Sequence, residues 1–199
     1  MKTVRTILWV AVAVMAGVLG WLTYEMTRSK QDIAEGPFGV PFQLVAQDGT
    51  PISEKAFQDK PTALFFGFTH CPEVCPTTLF ELNAWLHKVD PDGTRMNAYF
   101  ISVDPERDPP DVLGRYVTNV SDRIIGISGD PDKVGEMVKG FRVYARKVPV
   151  DDKAPNGDYT MDHTASVFLL DNGGRFAGTI AYGENEETAV KKLENLVKG

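Results

Sequence analysis

Cysteine and histidine are scarce in this chain. Two cysteines, Cys71 and Cys75, and three histidines occur in 199 residues. A scaffold stapled by disulfides needs more cysteines at wider spacing, so a pair four residues apart points to chemistry: a metal site, a redox pair, or both. Positive charge is also in short supply. Lys and Arg total 21 against 27 Asp and Glu, a formal net charge of -6. Nucleic-acid binders need a basic face to neutralise phosphates, so nucleic acid is not an expected partner. No internal repeat or low-complexity tract is present, which removes solenoid folds. The balance of 43% hydrophobic and 24% charged residues is that of a globular protein, and the length suits one domain with an appendage.

The appendage is N-terminal. Lys2 and Arg5 precede an uncharged run from Thr6 to Tyr24. About 20 apolar residues cross a bilayer core as a helix, and this run is long for the core of a cleavable signal and lacks a clear cleavage site. Trp9, Trp21 and Tyr24 lie near its ends, where amphipathic rings favour the interface. The expectation is a transmembrane anchor over residues 1–27, a polar tether over 28–37 and a folded domain over 38–199. The two positive charges before the span favour an inner-membrane, single-pass protein with its domain in the periplasm, or in the mitochondrial intermembrane space of a eukaryote.

Within the domain, Phe38 to Ala46 reads as a strand, followed by a turn at Asp48-Gly49. Leu64 to Phe68 is a short apolar run of the kind buried on both faces of a sheet. Leu79, Leu82, Leu86 and Val89 recur at helical spacing. Tyr99 to Val103 and Arg123 to Ile127 are further strands. Asp108-Pro109 and Asp130-Pro131 are helix starts, an N-cap residue followed by proline. A strand from Val143 to Pro149 enters a polar insertion at 151–158. Val167 to Asp171, Asn172-Gly173-Gly174 and Phe176 to Ala181 form a hairpin, and Asn185 caps a last helix. Parallel strands need helical crossovers and the hairpin adds antiparallel ones. The order predicts an α/β, thioredoxin-like mixed sheet with helices on both faces.

The chemistry concentrates at Gly67-Phe68-Thr69-His70-Cys71-Pro72-Glu73-Val74-Cys75-Pro76, between a buried strand and an amphipathic helix. A helix start presents unpaired N–H groups and partial positive charge, which favour thiolate over thiol. Cysteines at i and i+4 can face one way with Cβ atoms ~5–6 Å apart, although Pro76 allows the regular helix to begin only there, leaving both cysteines in an irregular turn. Thiolate with imidazole suits copper or zinc, and two cysteines leave a closed zinc site short of ligands. His70, beside Cys71, is a rival ligand to His163. His87 reads as solvent-facing and Met161 as a packing residue.

Phe66 to Pro76 resembles the signature of the Sco/SenC copper chaperones of cytochrome c oxidase. Ser102-Val103-Asp104-Pro105-Glu106-Arg107-Asp108 resembles a second stretch of that family. Tyr159-Thr160-Met161-Asp162-His163-Thr164, with Val167 to Asp171 after it, resembles a third. The resemblance implies a thioredoxin fold holding a copper ion, Cu(I) or Cu(II), through Cys71, Cys75 and His163. It implies a metallochaperone that serves the binuclear copper (CuA) centre of cytochrome c oxidase subunit II, with other copper chaperones or a thioredoxin-like reductant as further partners. The alternative is a thiol–disulfide oxidoreductase that uses Cys71 and Cys75 as a redox pair on that subunit's cysteines. His163 is expected in the loop before an apolar strand, with Asp162 either a partner that fixes its tautomer or a loop carboxylate in water. Asp108 is accounted for as a helix cap.

Overall fold

The computed structural model describes residues 2–150 and 158–198 and divides into two compact units, residues 1–36 and 37–199. The first holds helix α1, Lys2–Glu35. Residues 28–35, expected as a tether, continue this helix; Lys, Gln, Ala and Glu are good helix formers, and the first breakers are Gly36 and Pro37. Among the described residues, no helix is long and apolar enough to cross a membrane.

The second unit is built on a seven-stranded mixed sheet. Its strands are β1 (Gln43–Ala46), β2 (Pro51–Ser53), β3 (Thr62–Gly67), β4 (Asn97–Ser102), β5 (Ile125–Ser128), β8 (Ser166–Leu170) and β9 (Phe176–Ala181), in the order β2-β1-β5-β4-β3-β8-β9. β3, β4 and β5 are parallel. β8 runs antiparallel to β3, and β1 antiparallel to β5. A separate two-stranded ribbon pairs β6 (Ala145–Pro149) with β7 (Tyr159–His163). The helices are α2 (Val74–Val89), α3 (Pro110–Thr118), α4 (Pro131–Gly140) and α5 (Glu186–Lys198). Every residue of β3 is buried. Successive side chains on a strand point to opposite faces, so both faces of the sheet are covered at its centre, as the apolar run predicts.

Several local expectations meet a different outcome. The strand expected from Phe38 starts only at Gln43. Residues 38–41 form an aromatic plug instead: the Phe38 ring lies 5.1 Å from Phe176, stacks 6.1 Å from Phe168 and meets Phe141 edge-on at 5.6 Å. Gly39 makes this possible with φ +97°, and a Cβ there would lie 2.3 Å from the Phe141 ring. The two Asp-Pro signals also diverge. Asp130 caps α4, its carboxylate accepting from the N–H groups of Asp132 and Lys133. Asp108 caps nothing. A second proline, Pro110, takes the first helical position, Pro109 becomes the cap residue, and no side chain caps α3. The Asp108 carboxylate is released into the interior. The hairpin of β8 and β9 forms as expected, and Asn185 accepts from the Glu187 N–H at the start of α5.

Phe141 is fully buried, with its ring against Phe38, Phe57 and Phe66. Truncation there leaves a cavity that rigid sheet residues cannot close. Phe141→Ala is expected to cost about 3–5 kcal/mol, read as the shift in the urea unfolding midpoint of the full chain.

Candidate metal centre

Three chain segments meet at one edge of the sheet. β3 and β4 are parallel, with Gly67 opposite Ser102, so the segments that follow them leave side by side. β8 is antiparallel to β3, with Phe65 opposite Val167, so the residues that precede β8 arrive at the same edge. The first segment carries Cys71 and Cys75, the second residues 103–108, and the third His163.

Helix α2 begins at Val74. Cys75 therefore lies in its first turn and Cys71 in the loop before it. Pro76 is tolerated because the first N–H groups of a helix have no partner to lose. The Cys75 N–H donates to Cys71 Sγ at 3.3 Å, so the start of the helix presents a donor to the sulfur. Cys75 is wholly buried and Cys71 partly exposed. Gly67 is required by this packing: a Cβ there would lie 2.7 Å from Cys75 Sγ and 2.6 Å from the Phe100 ring.

His163 is the last residue of β7, not a loop residue as expected. Its ring meets Phe68 edge-on at 5.7 Å and Phe65 at 6.3 Å. Nδ1 lies 3.1 Å from the Thr164 carbonyl, and Nε2 lies 3.6 Å from Cys75 Sγ. With Nδ1–H donated to the carbonyl, Nε2 turns its lone pair toward the sulfurs, the tautomer a metal ligand needs. Of the two readings of Asp162, the structure shows the carboxylate in water and not the orienter. Asp162 precedes His163 on the same strand, so its side chain points to the opposite face; it is exposed and stands opposite Arg146 in the ribbon.

Cys71 Sγ, Cys75 Sγ and a His163 ring nitrogen all lie within 4.8 Å of one another. His70 stays outside this group. Its ring is about half exposed and faces Thr69 Oγ1 at 3.1 Å. His87 is on the surface, 3.0 Å from Asp122. Met161 is buried in the core, as its packing role requires.

The two thiols are electrostatically unequal. A hydrogen bond from Cys75 holds Cys71 down at about 4 against the opposing effect of burial. The same hydrogen bond to Cys71, together with burial, pushes Cys75 strongly up. Cys71 is thus the thiolate and Cys75 the thiol that donates to it. A metal ion arriving here replaces the shared proton.

The ribbon is held in place by residues outside the ligand group. Arg107 stacks on Tyr159 with its guanidinium carbon 3.6 Å from the ring centroid, and its Nη1 donates to the Tyr159 carbonyl at 2.8 Å. Arg107 also pairs with buried Asp104, and the Tyr159 hydroxyl donates to the same carboxylate at 2.8 Å. Lys147 Nζ lies 4.8 Å from the Tyr159 ring. This cluster ties β7, and so His163, to the segment after β4. Its only sequence signal is the coincidence of charged and aromatic residues in the second and third motifs.

Residues 30–198 match the SCO1/SenC family model. The chain belongs to the SCO1/SenC family. It is 36% identical over 161 residues to the mitochondrial protein SCO2 of Saccharomyces cerevisiae, which covers 80% of this chain and 53% of that protein. The chain thus spans about half the length of that relative. Among solved structures it is similar to copper-bound ScoI of Bradyrhizobium japonicum, with 44% identity, 80% of this chain and 99% of that chain covered, and a TM-score of 0.72. Copper-bound yeast Sco1 is 34% identical, with coverage of 82% and 90% and a TM-score of 0.73. The SCO1/SenC assignment agrees with the three motifs, and the thioredoxin-like architecture is shared with these structures.

If Cys71 carries the thiolate, its alkylation by iodoacetamide is expected to hold its rate down to about pH 5 and to fall through about pH 4. An ordinary thiol loses tenfold per unit below about 8.5. Peptide mass spectrometry after timed quenching measures this, and Cys75 is expected to stay unmodified while the protein is folded.

Proposed function

We propose that this chain is a copper metallochaperone that binds one copper ion through Cys71 Sγ, Cys75 Sγ and His163 Nε2 and serves assembly of the CuA centre of cytochrome c oxidase subunit II. The observation that carries the reading is the convergence of the three ligand atoms within 4.8 Å at one edge of the sheet. Metal–ligand bonds to sulfur and nitrogen are ~2.0–2.3 Å, so three ligands around one ion lie ~3.5–4 Å apart, close to the spacing found here. Two soft sulfurs and one imidazole suit copper, and the copper-bound relatives support that choice. The delivery role and subunit II as its recipient follow from the family resemblance.

The reading includes the anchor. The uncharged run from Thr6 to Tyr24 supports a single span over residues 1–27 with the copper-binding domain outside the cytoplasm, or in the intermembrane space of a eukaryote. Carbonate extraction of membranes is expected to leave the full chain in the pellet and to release a chain lacking residues 1–27.

A second reading, thiol–disulfide reduction of the target's cysteines, draws on the inequality of the two thiols. A partly exposed thiolate beside a buried thiol is the arrangement of an attacking and a resolving sulfur. His163 separates the readings. Under the copper reading, His163→Ala weakens copper affinity by at least about tenfold and leaves the cysteine pair able to cycle. Protein with a Cys71–Cys75 disulfide offers no thiolate and is expected to bind copper poorly. Copper titration of reduced and oxidised wild type beside reduced His163→Ala tests both statements. Equal affinity in wild type and variant removes the three-ligand site.

A further inference from the structure

Asp108 is the buried charge that the site's ligands do not explain. Its carboxylate is fully buried and accepts three hydrogen bonds: from the Thr69 N–H at 3.0 Å, from Thr69 Oγ1 at 2.6 Å and from Ser102 Oγ at 2.7 Å. Its own carbonyl accepts from Ser128 Oγ at 2.6 Å. Thr69 stands two residues before Cys71, so two of these bonds pin the base of the cysteine loop. The nearest ionisable nitrogen described around the carboxylate is His70 Nδ1, 4.0 Å away on a side chain about half exposed. No Lys or Arg among the described residues pairs with it, whereas the neighbouring Asp104 has Arg107.

Burying a carboxylate among dipoles, without a cation, costs several kcal/mol relative to a neutral acceptor. An asparagine accepts on one oxygen only, so its amide N–H2 would face either Thr69 Oγ1 or the Thr69 N–H and Ser102 Oγ. Beyond that second acceptor, aspartate adds a fixed negative charge beneath the cysteine loop. That charge lies close to the site: its hydrogen bonds to Thr69 place it at the base of the loop two residues before Cys71, with His70 Nδ1 4.0 Å away. Inside a protein such charges are weakly screened. Cu(II) carries one more positive charge than Cu(I), so a fixed anion stabilises the oxidised ion more.

We propose that Asp108 is a positioning and charge-setting residue of the copper site, holding the cysteine loop through Thr69 and biasing the site toward Cu(II) over Cu(I). The inference rests on the copper reading above. It assigns Asp108 a function that a helix cap or a loop staple does not have, because a fixed charge acts more strongly on the doubly charged ion than on the singly charged one.

The test measures both affinities on the reduced full chain without oxygen, Cu(I) by competition with bicinchoninate and Cu(II) by competition with an amino-acid chelator. In Asp108→Asn the ratio of Cu(II) to Cu(I) affinity is expected to fall about tenfold, equal to a rise of about 59 mV in the one-electron potential, with the Cu(II) paramagnetic resonance spectrum still reporting sulfur and nitrogen ligands. Asp108→Ser, a smaller neutral acceptor, is expected to shift the ratio the same way. Thr69→Val keeps the charge and removes a hydrogen bond; it is expected to lower both affinities together and leave the ratio within about twofold. An unchanged ratio in the Asp108 variants overturns the proposal, as does an equal shift in Thr69→Val. Wild-type protein that takes up neither ion overturns the copper reading itself, and this inference with it.

Discussion

The parallel register of β3 and β4 runs from Thr62 opposite Asn97 to Gly67 opposite Ser102, and it makes both strands end together at one edge. Parallel strands need crossovers, so each chain segment leaving that edge enters a helix on the way back. One such exit becomes the cysteine loop and α2; the other becomes residues 103–109 and α3. The antiparallel pairing of β8 with β3 brings residues 163–165 to the same place. Sites in open α/β sheets collect at the carboxyl ends of the strands for this reason. Three segments far apart in sequence are neighbours because backbone hydrogen bonds leave them no other exit.

Packing then sets the chemistry. Gly67 lets Cys75 press against the end of β3, and the burial that follows disfavours its thiolate. The proton stays on Cys75 and is shared with Cys71, which sits nearer solvent. His163 completes the arrangement with a fixed tautomer, held from behind by a backbone carbonyl and from the sides by two phenylalanine rings. Residues 104–108 support both halves: Asp108 holds Thr69 and the cysteine loop, while Asp104 and Arg107 hold Tyr159 and the histidine strand. A disturbance in this short segment therefore reaches sulfur and imidazole together, and their spacing with it.

Much of the fold was legible. The apolar run at 64–68 can be buried only at a sheet centre, and α2, α4 and α5 show their inner faces as periodic stripes. The hairpin at 167–181 is announced by Asn172-Gly173-Gly174. Less legible were places where one local signal has two outcomes. Asp-Pro starts a helix at 130 and misleads at 108, because a second proline moves the helix start and only the core decides what an uncapped aspartate then meets. Residues 38–42 alternate like a strand, but Phe38 finds an aromatic pocket formed by residues more than a hundred positions away. Of the ribbon, β6 was legible as a strand, but its partner β7 was read only as the loop before the apolar strand.

By itself the sequence determined the element order, the sheet core, the membership of Cys71 and Cys75 in a reactive turn and, through motif resemblance, the choice of His163. These rest on local periodicity, turn chemistry and residue type, which short windows contain. The tertiary structure alone decided which cysteine is the thiolate, which group orients His163, why Gly67 cannot carry a side chain and what Asp108 does. Each of those depends on burial, on distance between remote segments or on the field of a neighbouring charge, none of which has a value until the chain is folded.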